Sequence, residues 1–255
     1  MPYKQIFTRL YDAANLGDQS LEEALALLPD GRLSVGLAAS ADVIDIGINE
    51  AYVSTEVLSG DEMSESAETP DGRYFVEVAT YPHEGTNEYW LSHTDQANGK
   101  FKRAKLNTEW RTNGMTQPRV VVSPGGSYFI VDDSGTVRLY SAPHLLEAGA
   151  FQVAHINTEN RIVALAVSTD ERLIVGLSAW KDIVLYSVAD RRVAFVRQIR
   201  DEIGWYDPNN AHIMLVGNAE AIVTIGIADR VDAPDTPRVA VNAFKQVQLK
   251  ATLSQ

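Results

Sequence analysis

The sequence contains no cysteine, which excludes disulfide bonds, thiolate metal ligands and cysteine nucleophiles. It also has no apolar run near the ~18 residues that a membrane-spanning helix requires. Its first residues, MPYKQIFTRLYDAANLG, lack the long apolar core and the small-residue cleavage site of a signal peptide. We therefore expect a cytoplasmic protein with no membrane partner.

Basic residues are scarce relative to acidic ones. There are 22 lysines and arginines against 34 aspartates and glutamates, which gives a formal net charge of −12. An acidic surface repels the phosphates of nucleic acids and the headgroups of anionic lipids. Nucleic acid and membranes are therefore not expected as partners.

Catalytic signatures are also lacking. The sequence has no G-x-S-x-G elbow, no Walker loop and no dinucleotide fingerprint. No two of the five histidines have the spacing of a zinc pair, the five being His83, His93, His144, His155 and His212. We predict no catalytic residue, no metal and no cofactor, and we retain an enzyme as the alternative to a binding protein.

What is present is a succession of strand-length apolar runs. Residues 161–199 read RIVALAVSTDERLIVGLSAWKDIVLYSVADRRVAFVRQI, in which charged or small residues separate four runs rich in Val, Ile and Leu. This pattern predicts four short strands joined by hairpins. Six residues of this central unit are expected to be buried: Leu165, Val167, Ile174, Val175, Val184 and Leu185.

A turn of the Pro-Asp-Gly type, or a polar variant of it, precedes a strand five times. The five turns lie at residues 29–31, 70–72, 124–126, 169–171 and 208–210, at intervals of 41, 54, 45 and 39 residues. Propeller blades repeat every ~40–45 residues, whereas leucine-rich repeats are shorter. Proline presets the first turn position, and Gly or Asn tolerates the positive φ that follows.

A second element follows these turns and ends in a small residue, as in TVRLYS at residues 136–141 and DIVLYS at residues 182–187. With Ala154-His155 before its first strand and Tyr186-Ser187 closing its third, the central unit resembles a blade of a degenerate WD-repeat β-propeller. The family has Gly-His and Trp-Asp at these two places. The resemblance covers roughly residues 20–245, and it implies a structural hydrogen-bonding role for Asp133.

These repeats predict an all-β fold, a single β-propeller of four-stranded antiparallel blades in one domain over residues 1–255. Five blades are favoured, at residues 21–58, 62–106, 117–156, 161–199 and 204–244, and six remain the alternative. We expect Tyr3–Asp12 to pair with the last blade and close the ring, because an open sheet edge invites aggregation. Extra material interrupts the repeat in an acidic stretch at residues 59–69 and a basic one at residues 100–119.

Aromatic and cationic residues fall in the turns that a propeller places around one mouth of its channel. They are Trp180, Lys181, His83 and Arg200, and Trp205 begins the strand that follows one of these turns. Trp and Arg are enriched in interaction hot spots. We therefore predict a non-enzymatic interaction module or scaffold that binds a protein or peptide partner at this mouth.

Two other functions stay open at this stage. An enzyme or small-ligand binder would place its site in the central channel, where acidic residues from several blades would have to converge: Glu68, Asp95, Asp133, Asp201 and Asp207. The chain would otherwise be one structural domain of a larger assembly. The sequence identifies neither the partner nor the oligomeric state.

Overall fold

A computed structural model describes residues 3–16, 24–48, 55–59, 65–83, 86–111, 119–133, 136–152, 162–199, 211–216, 220–228 and 237–246. Within these ranges, no helix is long and apolar enough to span a bilayer. A short 3₁₀ helix occupies Ala13–Leu16. The strands are β1 (Tyr3–Asp12), β2 (Leu25–Leu27), β3 (Leu33–Leu37), β4 (Ser40–Ile44), β5 (Thr55–Ser59), β6 (Ser66–Glu68), β7 (Tyr74–His83), β8 (Thr86–Asp95), β9 (Lys100–Arg111), β10 (Arg119–Val122), β11 (Tyr128–Asp133), β12 (Thr136–Ser141), β13 (Glu147–Gln152), β14 (Ile162–Ser168), β15 (Leu173–Ser178), β16 (Asp182–Ser187), β17 (Arg192–Gln198), β18 (Ala211–Val216), β19 (Ala221–Ala228) and β20 (Arg238–Gln246).

These strands form five antiparallel sheets, which we number in chain order. Sheet 1 contains β2–β4, sheet 2 contains β6–β9 and sheet 3 contains β10–β13. Sheet 4 contains β14–β17 with β5 added beside β14, and sheet 5 contains β18–β20 with β1 added beside β20. Apart from these two added strands, the neighbouring strands of each sheet are consecutive in the chain and antiparallel, as the sequence predicts.

Four apolar clusters fill the spaces between sheets. They lie between sheets 2 and 3, 3 and 4, 4 and 5, and 5 and 1. The middle sheets are covered on both faces, so β14, β15 and β16 are almost continuously apolar rather than alternating. All six predicted core residues of the central unit are buried. Sheets that each pack on the next in this order make a β-propeller, and the predicted fold class is confirmed.

The N-terminal strand completes the last sheet. β1 pairs antiparallel with β20 from Tyr3 opposite Gln246 to Asp12 opposite Arg238, and so forms the outer strand of sheet 5. Side chains reinforce the pairing, because Thr8 donates a 2.9 Å hydrogen bond to the Oδ1 atom of Asn242. The predicted pairing of Tyr3–Asp12 with the C-terminal blade is confirmed.

The predicted composition of the first blade is wrong. Residues 21–58 were expected to supply four strands, but sheet 1 has three in the described part of the chain. β5 instead pairs antiparallel with β14, from Thr55 opposite Ser168 to Ser59 opposite Ala164. Without β5 the inner edge of β14 would leave a row of backbone N–H and C=O groups unpaired. β5 also contacts β18, so it lies where the first strands of sheets 4 and 5 meet.

The recurring turns have the backbone that their glycines predict. Gly31, Gly72 and Gly126 have φ values of 84°, 67° and 74°. Glu171 takes the same position in sheet 4 with a φ of 56°, a conformation that costs a residue with a side chain about 1–2 kcal/mol. The fifth predicted turn, at residues 208–210, lies outside the described residues.

Hydroxyl side chains brace these turns. Ser168 donates to Asp170 at 2.7 Å and accepts a 2.9 Å hydrogen bond from the backbone N–H of Leu173. Thr69 makes the equivalent bonds to Asp71 and Tyr74. The hydroxyl that donates to each carboxylate is the main reason why the pKa values of Asp71 and Asp170 lie below their usual range.

Two neighbouring turns also bond to each other. The backbone N–H of Gly125 in sheet 3 donates to the Oε1 atom of Glu171 in sheet 4 at 2.8 Å. The strained conformation of Glu171 is thus accompanied by a bond that glycine at this position would lack.

Tyr186 fills the space between sheets 3 and 4. Its ring stacks on Phe151 with centroids 5.2 Å apart, and burial raises the pKa of its hydroxyl. The ring approaches β13 at Gly149, where a Cβ atom would overlap the hydroxyl and lie 3.1 Å from Cζ. Only glycine fits at this point without displacing Tyr186.

We predict that Gly149→Ala lowers the free energy of unfolding by about 1–3 kcal/mol, the usual cost of overpacking a core. Because the overlap is chiefly with the hydroxyl, the same substitution should cost clearly less in a Tyr186→Phe background. Chemical denaturation of the two single variants and the double variant measures this difference. An equal cost in both backgrounds would show that Tyr186 does not exclude the methyl group.

Candidate partner-binding surfaces

We call the end of the sheets where the second strand turns into the third the upper end. The predicted mouth belongs at this end. Trp180 and Lys181 form this turn in sheet 4, between β15 and β16. Trp180 is partly buried and packs against the cluster between sheets 4 and 5. The turn is closed by the N–H of Lys181, which donates to the carbonyl of Ser178 at 2.8 Å.

Lys181 does not have the solvent-facing side chain that its turn position predicts. It is only 8% exposed. The end of β17 folds onto the turn, where the N–H of Ile199 donates to the carbonyl of Lys181 at 2.9 Å. Lys181 also has a φ of 66°, so a strained backbone accompanies the buried side chain.

The other predicted contacts are only partly placed. The backbone of His83 ends β7, opposite Thr86, at the same upper end as Trp180. Its side chain, and all of Arg200 and Trp205, lie outside the described residues. The structure therefore places Trp180 and Lys181 side by side in one turn. The contribution of the other predicted residues to this mouth stays a prediction.

An ion pair that the sequence did not indicate lies at the same end. Arg119 on β10 donates to the Oδ2 atom of Asp132 at 3.1 Å and to the carbonyl of Ile162 at 2.8 Å. Asp132 is buried, and Ile162 begins the neighbouring sheet. Arg119 therefore links sheets 3 and 4, which is a structural role for a residue that was grouped with the basic insertion.

The acids proposed for a channel site do not all converge. Glu68 and Asp95 lie at the lower end of sheet 2, where Asp95 accepts a 2.9 Å hydrogen bond from Asn98. Asp133 ends β11 at the upper end of sheet 3. Asp201 and Asp207 lie outside the described residues. Across the part of the chain that the structure describes, no three His, Asp or Glu residues are grouped as metal ligands.

A second surface lies on sheet 2, where much of the basic insertion forms the long outer strand β9. Four of its basic residues, Lys100, Lys102, Arg103 and Lys105, are exposed, as is Phe101 between them. The Arg103 guanidinium lies 5.0 Å from the centre of the Phe101 ring, and the Lys105 ammonium lies 5.9 Å from that of Trp90. Two cations of this strand thus each lie beside an aromatic ring, one ring on β9 and the other on β8.

Comparison with known proteins gives similarities of fold only. No protein-family model matches the sequence, and no curated protein matches it. One similar solved structure is Kuenenia stuttgartiensis hydrazine synthase, 13% identical with a TM-score of 0.42 over 82% of this chain. The β-propeller domain of Myceliophteria thermophila Cps50 (Swd1) is 11% identical, with a TM-score of 0.38 over 85% of this chain. The matches span 56% and 67% of those two chains, respectively.

His93 is a buried titratable group that the sequence did not single out. It is 1% exposed, its Nε2 atom lies 2.7 Å from the carbonyl of Ala142, and its ring stacks on Tyr74 at 5.5 Å between centroids. Its Nδ1 atom has no partner among the described residues. Burial lowers the pKa of the imidazole, so the neutral ring donates its Nε2 proton to Ala142.

We predict that His93 makes the protein less stable in mild acid. Its pKa is lower in the folded than in the unfolded chain, so the unfolded chain binds a proton first as the pH falls below the unfolded value of ~6.5. The stabilisation is therefore present above that pH and declines below it, by at most about 1.4 kcal/mol per pH unit.

Denaturant midpoints between pH 7.5 and 5 measure this decline. His93→Gln retains an N–H donor for Ala142 and does not titrate, so its midpoint should vary less over this range. An identical pH dependence in the two proteins would contradict the role of His93.

Proposed function

We propose that this chain is a non-enzymatic interaction module that binds a protein or peptide partner at the upper end of its sheets. The observation that carries the proposal is the turn of sheet 4. A Trp there is partly exposed, and its neighbour Lys181 adopts a left-handed conformation in which glycine would be unstrained. Strained backbone kept in a turn is typical of binding sites.

The packing of Trp180 suits it to this role. One part of the indole contacts the cluster between sheets 4 and 5, so the ring is held in place before any partner arrives. A side chain that is already ordered loses little conformational entropy on binding. Aromatic anchors of this kind contribute much of the affinity of protein interfaces.

The central channel is a less favourable location for a ligand site. β5 lies along the inner edge of β14 and contacts β18, so it occupies space between the first strands of sheets 4 and 5. Glu68 and Asp95 lie at one end of the fold and Asp133 at the other. These placements favour binding at an outer surface.

The test combines Trp180→Leu with Arg200→Ala. Leucine retains apolar contact with the cluster and removes the indole, so the melting temperature should change little. Binding to partners recovered from a native lysate should weaken by about 2 kcal/mol or more, roughly 30-fold, as expected for loss of a hot spot.

The matched control is Val196→Ala, on the exposed outer strand of the same sheet, and it should retain binding. Equal binding by the control and the double variant would contradict the proposed site. Unfolding of the double variant would assign Trp180 to the core. Trp180→Phe then tests the interface with an aromatic ring kept against the cluster.

A further inference from the structure

One face of sheet 2 packs into a described apolar cluster, and we call it the covered face. The other, which we call the open face, belongs to no such cluster within the described ranges. Val76, Leu91 and Leu106 belong to the covered face and pack into the cluster between sheets 2 and 3. The opposite face carries the cross-strand row Glu77, Ser92 and Arg103. No apolar cluster joins this face to sheet 1 within the described ranges.

The part of this face that β9 supplies is charged and exposed. Arg103 and Lys105 on β9 are exposed, and Phe101 between the cations is 52% exposed. Near the middle of the face, Ser92 is only 2% exposed, and its hydroxyl has no hydrogen-bond partner among the described residues. A buried hydroxyl without a partner is uncommon and costs stability.

The edge of β9 is also open. β9 is the outer strand of sheet 2, and no strand in the described ranges pairs with its outer side. Such an edge presents a row of backbone N–H and C=O groups that an extended peptide can pair with.

The charges along this edge select the occupant. Side chains alternate across a strand, so Lys100 and Lys102 point to the covered face and Arg103 and Lys105 to the open one. A strand added beside β9 would therefore meet cations on both of its faces. Opposite charges across strands stabilise pairing, and like charges oppose it.

We propose that β9 is a docking edge for an extended acidic segment of a partner protein, which adds to sheet 2 as a fifth strand. Backbone hydrogen bonds hold the segment, and carboxylates opposite Arg103 and Lys105, which lie on one face of β9, fix its register. An apolar residue of the segment rests on Phe101. This surface is separate from the turn at Trp180, and either site can exist without the other.

The first experiment uses a fluorescent octapeptide that alternates Glu and Thr, with binding followed by anisotropy at low ionic strength. The wild-type protein should bind it, and added salt should weaken binding because exposed charges are screened. The same peptide with alternate amides N-methylated keeps its charge but cannot pair fully with a strand. It should bind at least about tenfold more weakly if backbone pairing contributes as proposed.

The second experiment reverses charge at two edges. Arg103→Glu with Lys105→Glu should reduce peptide binding about tenfold or more. The matched control is Arg192→Glu with Arg197→Glu, which makes the same change in net charge on β17, the outer strand of sheet 4, and should retain binding. Trp180→Leu should also retain binding, which separates this proposal from the first.

Several outcomes would overturn the proposal. One is that the wild-type protein does not bind the peptide. Another is that both charge-reversal variants lose peptide binding equally. A third is that the methylated peptide binds as tightly as the unmethylated one. Tighter binding of a single-stranded oligonucleotide of the same charge would assign the strand to nucleic acid instead. If the wild-type protein is a dimer, the β9 variant is a monomer and neither binds the peptide, the edge of β9 binds a second copy of this chain instead. The methylated peptide keeps the test valid if the β9 variant fails to fold.

Discussion

Backbone hydrogen bonding at the edges of the sheets is the constraint on which the rest of this structure depends. Each sheet of a propeller has an inner and an outer edge, and each edge carries N–H and C=O groups that need partners or water. β5 covers the inner edge of β14, and β1 covers the outer edge of β20. Both strands are distant in sequence from the strands they cover. Sheets 4 and 5 therefore depend on parts of the chain far from their own hairpins.

No strand in the described ranges covers the outer edge of β9, and charged side chains protect this edge from aggregation instead. Lysine and arginine along an edge strand discourage pairing with other chains of ordinary composition. The same residues make the edge selective for an acidic strand, so one feature gives protection and specificity. The upper end differs again, since Trp180 is anchored in the core and only partly reaches solvent. The two proposed surfaces would thus bind their partners through different interactions. At β9 these are strand addition and charge pairing, and at Trp180 the interaction is burial of an aromatic ring.

The sequence predicted what depends on local pattern. The apolar runs of the central unit, the positive φ of Gly31 and Gly72 and the pairing of β1 all followed from periodicity, turn chemistry or the need to cover an edge. The pairing of β5 with β14 could not be predicted, because backbone bonds between distant segments leave no local signature. The burial of Lys181 was missed because it depends on tertiary packing around the turn, which the local sequence does not record. The hydroxyls of Thr69 and Ser168 were visible signals, since each directly precedes a recurring turn.

Amide hydrogen exchange on the intact chain tests most directly the claim that edge pairing organises this fold. Slow exchange is expected in peptides covering β19 and β20, which are paired on both sides, and partial protection in β1, which pairs with β20 on one side. β14 should be protected along both edges, and β9, an outer strand like β1, should show only partial protection. Exchange of β1 at the rate of an unstructured peptide, with β20 equally unprotected, would contradict this claim.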